Sequence, residues 1–199
     1  MENENQEPIG VPEKSVEEKK PESWKDILRF IAIAIIIVVP FRIFVAQPFI
    51  VSGASMLPNF HDHDYLIVDK LSYFLHEPHR GDVVIFRYPK DTTKFFIKRI
   101  IGLPNETVII NSSGVTIKNV EHPDGFALSE DFVTHMPTGY GHMDKKLDAD
   151  SYFVLGDNRP ASSDSRAWGV LPRKNITGRA FLRLFPFSDI DIVPGEHHY

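Results

Sequence analysis

Hydrophobic and polar positions divide the 199 residues into three zones. Residues 1–26 are dominated by Glu, Lys, Pro and Asn. They carry too few apolar side chains to form a core, which predicts a disordered tail. Ile27–Ala46 is then apolar on every helical face, with Arg29 and Arg42 near its ends. Twenty helical residues span about 30 Å, the thickness of a bilayer core, so this zone predicts a transmembrane anchor. Its charge-free centre, Phe30–Phe41, is short for that role, and Pro40 predicts a kink. A helix buried in a globular core is a competing reading, opposed by the apolar character of all faces and by the polar tail in front of it. A cleaved leader is another, opposed by Phe44, which stands where a small residue should precede a cut after Ala46.

The third zone, 47–199, reads as β. Runs rich in β-branched and aromatic residues predict strands at Tyr65–Asp69, Asp82–Arg87, Lys94–Ile101, Thr107–Asn111, Val115–Asn119, Ser151–Leu155 and Gly178–Leu184. Asn111-Ser112-Ser113-Gly114 predicts a hairpin turn between two of them. Helix signals are weak. The expected fold is mostly antiparallel β, a partly closed barrel or packed sheets, behind one N-terminal transmembrane helix.

Charge adds orientation. Lys14, Lys19, Lys20, Lys25 and Arg29 precede or open the apolar zone, whereas Arg42 is the only basic residue after its centre until Lys70. This asymmetry predicts a single-pass protein of the cell membrane, with a cytoplasmic tail and an extracytoplasmic domain in contact with membrane lipid. The formal net charge of -5, with no dense basic patch, argues against nucleic acid as a partner. With no cysteine in the chain, disulfides, thiolate catalysis and cysteine metal sites are excluded. His61, His63, His76 and His79 form no metal-binding motif and read as surface loop residues, so neither metal nor organic cofactor is expected.

Three segments carry candidate chemistry. Ser55 follows Gly53-Ala54, where small residues let the backbone turn tightly and a substrate chain approach. Lys98 lies in Phe95-Phe96-Ile97-Lys98-Arg99-Ile100-Ile101. On a strand it shares its face with Phe96 and Ile100, while Arg99 points the other way. Apolar neighbours desolvate the lysine, lower its pKa and make a neutral amine available as a general base. Gly156–Arg166 packs Asp157, Asp164, Arg159, Arg166, Ser162, Ser163 and Ser165 into a short loop able to orient that amine and hold Arg99 in an ion pair. Each has a plainer reading: a turn serine, an edge lysine reaching solvent, and a solvated loop.

Taken in order, Gly53-Ala54-Ser55-Met56-Leu57-Pro58, Tyr65–Lys70, Arg80–Phe86, Phe96–Pro104 and Gly156–Arg166 resemble the conserved boxes of the type I signal peptidases, and the resemblance covers nearly the whole chain. The short spacing between Lys98 and the last box is similar to the small single-anchor members of Gram-positive bacteria. The resemblance implies a serine endopeptidase that removes signal peptides from secretory preproteins. It implies Ser55 as nucleophile, Lys98 as general base, Ser162 hydrogen-bonded to the Lys98 amine, and Asp157, Asp164, Arg166 and Arg99 as a supporting network. It also implies a substrate lying as an added strand beside Val51, Gly53, Met56, Phe96 and Ile97, with shallow pockets suited to Ala-x-Ala. Gly53 stands where some members have an oxyanion-hole serine, which leaves the Ser55 N–H and an unassigned second donor. Asn59 stands where threonine is frequent. A self-cleaving repressor would share the chemistry but needs a DNA-binding segment. A silent relative that only binds export machinery would usually have lost Ser55, Lys98 or Ser162.

Overall fold

A computed structural model describes residues 24–130, 132–133, 142–197 and 199. Residues 1–23 of the expected tail lie outside the described residues, while Trp24, Lys25 and Asp26 already belong to a helix. The chain divides into two compact units, residues 1–38 and 39–199.

Helix α1 runs over Trp24–Pro40, and most of its large apolar side chains are exposed. It ends at Pro40, which has no N–H for the helical ladder, and Phe41–Val45 coil as a wider π-helical turn. The predicted anchor, Ile27–Ala46, is thus split into an α segment, a π turn and the first residue of a strand. Among the described residues no single helix is long and apolar enough to cross a membrane.

Among the described residues the second unit holds twelve strands: β1 Ala46–Ile50, β2 Tyr65–Asp69, β3 Val83–Tyr88, β4 Asp91–Gly102, β5 Thr107–Asn111, β6 Gly114–Lys118, β7 Phe126–Ala127, β8 Met143–Lys146, β9 Ser151–Leu155, β10 Leu171–Pro172, β11 Ile176–Phe185 and β12 Asp191–Ile192. Short helices α2 (Ser72–Leu75) and α3 (Ser165–Trp168) interrupt them. One sheet has the order β1-β2-β11-β3-β4-β9-β10, with β12 on β11. The other has the order β7-β6-β5-β8. Every pairing is antiparallel. Neither sheet closes on itself, so there is no closed barrel. The two outer strands of the large sheet, β1 and β10, do not meet.

Alternating burial explains the packing. β5 and β6 turn Val108, Ile110, Val115 and Ile117 inward, where they meet Ile101, Phe153 and Leu155 of the large sheet. β3 and β9 are buried on both faces. Val83 and Ile85 join Val51, Met56, Phe60 and Leu66, whereas Val84 and Phe86 join Ile100, Val154 and Trp168. The site lies where these last two clusters adjoin, at the middle of β4.

Candidate active site

Strand β4 pairs with β3 from Phe95 to Arg99, but its partner on the other side, β9, stops where Leu155 meets Arg99. The β4 edge is therefore open from Lys98 back towards Asp91. β1 has an open edge too, since it ends the sheet. Between these segments lies a groove of about 460 Å³, bordered by Phe49, Ile50, Val51, Phe95, Phe96 and Ile97, with Ser55 and Lys98 on its wall.

Ser55 sits in the turn after β1. Gly53 takes φ +92°, a left-handed conformation that glycine adopts without strain, and its N–H donates to Asp62 Oδ1 at 2.8 Å. Asn158 fixes the same turn from outside: its N–H donates to the Ser55 carbonyl at 3.0 Å and its side-chain amide to the Ala54 carbonyl at 2.9 Å. This approach requires Gly156. A Cβ there would stand 2.5 Å from the Ser55 carbonyl oxygen and 2.2 Å from Ser162 Oγ, closer than atoms can pack.

Lys98 Nζ donates to Ser55 Oγ at 2.7 Å and to the Ile97 carbonyl at 2.7 Å. The lysine is only 4% exposed, and its ammonium lies 5.6 Å from the Phe96 ring centre. Burial lowers its pKa to about 8, against the opposing pull of Asp164 and Asp157. About a tenth of the amine is then neutral at pH 7, against less than a thousandth for a solvated lysine.

Arg99, on the other face of β4, is fully buried. Its Nε and Nη2 donate to the two oxygens of Asp157 at 2.8 and 2.6 Å, and its Nη1 donates to the Gly81 and Gly195 carbonyls at 2.8 and 2.5 Å. A buried guanidinium is tolerated only with its donors paired in this way. Asp164 caps α3, accepts from the Gly156 N–H at 3.1 Å, and pairs with Arg166 Nε and Nη2 at 2.7 and 2.6 Å. Burial is the largest influence on its carboxyl and pushes its pKa up; the N–H donors and Lys98 oppose this.

The expected residues thus divide. Ser55 and Lys98 are in contact, Asp157 pairs with Arg99, Asp164 pairs with Arg166, and Val51, Phe96 and Ile97 border the groove. Ser162 makes no hydrogen bond with Lys98. Its hydroxyl is buried without a well-formed hydrogen bond among the described residues, although its dipole favours the ionised form of Asp164. Met56 does not border the groove but packs in the core with Phe60, Leu66 and Val68. Gly53 shapes the turn and is not among the groove residues. His61, His63, His76 and His79 are exposed. Sequence reasoning gave no role to Asn59, whose amide donates to Asp157 Oδ2 at 2.8 Å, or to the Asn158 and Gly156 contacts. No local sequence signal marks these, because each depends on a partner about a hundred residues away.

A hydroxyl against a buried amine, beside two open strand edges, is chemistry suited to cutting an extended polypeptide. The family model described as "Signal peptidase, peptidase S26" matches residues 24–185. Signal peptidase I of Leptolyngbya laminosa is 38% identical over 169 residues, covering 81% of this chain and 79% of its own. The probable signal peptidase I-2 of Synechocystis sp. is 36% identical, covering 90% and 82%. Signal peptidase I of Bacillus amyloliquefaciens is 33% identical, covering 89% and 97%. Among solved structures, a signal peptidase I from Enterococcus faecalis is 29% identical, covers 52% of this chain and 97% of its own, and superposes with a TM-score of 0.44. The chain belongs to the peptidase S26 family of signal peptidases.

Proposed function

We propose that this protein is a serine endopeptidase that removes signal peptides from secretory preproteins, with Ser55 as nucleophile and Lys98 as general base. The observation that carries the assignment is the 2.7 Å contact between Ser55 Oγ and the amine of a lysine that is almost wholly buried. Neutral Lys98 takes the Ser55 proton as Oγ attacks the scissile carbonyl. The Ser55 N–H, for which no acceptor is found among the described residues, faces the developing oxyanion. As the carbon–nitrogen bond breaks, the Lys98 ammonium returns the proton to the departing amine, leaving an acyl-enzyme on Ser55. Lys98 then takes a proton from water as its oxygen attacks the ester, and gives that proton to Ser55 Oγ as the ester bond breaks.

The groove supports an extended substrate. The Val51 N–H points inward to the Asp64 carbonyl at 2.9 Å, so by strand alternation the backbone of Ile50 faces the open edge. A chain laid between β1 and β4 pairs with both edges and sets small side chains against Val51, Phe96 and Ile97. This suits substrates with small-x-small ends such as Ala-x-Ala. The segment 27–46 is the single anchor, with residues before it cytoplasmic and 47–199 outside, as the Lys and Arg asymmetry indicates. α1 together with its π turn, 24–45, supplies the required length, and its exposed apolar side chains suit lipid.

The test is cleavage of a synthetic preprotein peptide by the purified protein, with sequencing of the product ends. A single cut after a small-x-small site, absent from Ser55→Ala, is expected. No cleavage by the wild type, or equal cleavage by the alanine variant, overturns the assignment.

A further inference from the structure

Both ends of the Ser55 turn are tied to the same two consecutive residues. At the Ser55 end, Asn158 holds the Ala54 and Ser55 carbonyls. Four residues on, Asn59 Nδ2 donates to Asp157 Oδ2 at 2.8 Å. Asn59 is itself anchored from behind, because its carbonyl accepts from Arg183 Nη1 at 2.9 Å, and that guanidinium also reaches the buried Asp64 at 3.3 Å. Asp157 in turn is gripped by Arg99, the residue after Lys98. The strand with the amine and the turn with the hydroxyl are thereby joined through one carboxylate.

We propose that Asn59 is a positioning residue of the reaction: its amide, by holding Asp157, clamps the far end of the 55–59 turn and fixes Ser55 Oγ against Lys98 Nζ. Arg183 holds the Asn59 backbone towards Asp64, whereas the Asn59 amide ties this end of the turn to Asp157. Met56 and Phe60 are buried and hold the turn to the core, but apolar packing has little directional preference. A hydrogen bond to a buried carboxylate fixes distance and angle together. Asp157 accepts from Arg99 on both oxygens and from the Asn59 amide on one of them. Without that donor the far end of the 55–59 turn loses its tie to the carboxylate that Arg99 holds in place, and Ser55 is fixed from the Asn158 side alone. Proton transfer is sensitive to such looseness, because a misplacement of about 1 Å costs on the order of a hundredfold.

The inference rests on Ser55 and Lys98 being the reacting pair, and its test separates the two ideas. Kinetics are measured for the full chain on one preprotein peptide, normalised to folded protein, for Asn59→Ala, Asn59→Asp, Asn59→Thr and Ser55→Ala. Asn59→Ala is expected to lower kcat about tenfold with KM within about twofold, the loss of an orienting bond felt in the transition state. Asn59→Asp keeps the shape but sets a carboxylate against Asp157. It is expected to lower kcat further and to move the ascending pH limb upward, since added negative charge favours protonated Lys98. Asn59→Thr restores a donor and recovers part of the rate. A purely structural role predicts lower thermal stability with kcat per folded molecule and pH limb unchanged, and that result overturns the proposal. If the Asn59 variants do not fold, Asn158→Ala at the partly exposed other end of the clamp decides: a fall in kcat at constant KM supports the clamp, and an unchanged kcat overturns it. Ser55→Ala inactive beside a fully active Asn59→Ala refutes the clamp alone, whereas an active Ser55→Ala refutes the underlying reading.

Discussion

The two sheets of the protein bury different things. The four-stranded sheet turns Val108, Ile110, Val115 and Ile117 inward and Thr107, Asn111, Thr116 and Lys118 outward, so that its side of the core is almost purely apolar. The large sheet buries Lys98 and Arg99 on opposite faces of β4, together with the carboxylates of Asp157, paired with Arg99, and Asp164, paired with Arg166. Apolar burial stabilises in proportion to area and tolerates small shifts. Buried charges contribute little net stability and penalise any loss of partner. The contrast separates a region built to hold shape from one built to hold an amine in an unfavourable state.

That separation can be broken by experiment. Ser55→Ala is expected to reduce kcat/KM by at least ~10³-fold while leaving the melting temperature close to wild type, whereas Ser52→Ala keeps most activity. Calorimetry beside the peptide assay checks both halves. In the small sheet the expectation inverts. Ile117→Ala should cost about 2–5 kcal/mol of stability by denaturant titration and leave kcat per folded molecule unchanged.

Lys98 sharpens the comparison through pH. Its folded pKa of about 8 lies below the roughly 10.4 of an unfolded lysine. The unfolded chain therefore binds more protons between these values, and stability rises with pH across that window. The penalty is complete below about pH 8 and gone above about 10.4. Lys98→Met, which carries no charge, should be inactive yet more stable at pH 7 by on the order of 1–3 kcal/mol, allowing for the two hydrogen bonds it loses. The gap in denaturant midpoints should close as the pH rises from 8 towards 10.4, and a constant gap would mean that Lys98 is not desolvated. The smallest expected effect is at the β1 edge. Pro48 shares the outward backbone phase of Ile50 and has no N–H. Pro48→Ser supplies a donor there and should tighten a peptide-like inhibitor by about 0.5–1.5 kcal/mol, as read by its inhibition constant.

What the sequence disclosed follows the same division. Strands with strong local patterns were legible: Tyr65–Asp69, Thr107–Asn111 and Ser151–Leu155 form as expected. β1 was hidden because the apolar run that reads as helix extends past Pro40 to Ala46, the strand's first residue. β7, β10 and β12 have two residues each, too few to show a period. The burial of Lys98 was legible through its apolar flanks, and the Arg99 ion pair through the charge density of Gly156–Arg166. The place of Met56 in the core was not legible, because an apolar residue beside a nucleophile serves a pocket or a core equally well. Asn59 was invisible because its meaning lies in Asp157, distant in sequence and near only in the fold.

The central claim, that a desolvated Lys98 is the base for Ser55, is tested most directly by the pH dependence of kcat/KM for wild type and Lys98→Arg from pH 6 to 10 on one preprotein substrate. The wild type should rise along a single limb centred at about pH 8, as the free enzyme's lysine loses its proton. The arginine variant, whose guanidinium stays protonated, should remain at background throughout. Strong cleavage by Lys98→Arg, or a wild-type limb centred near 6.5 that histidine-to-alanine changes abolish, would contradict the account.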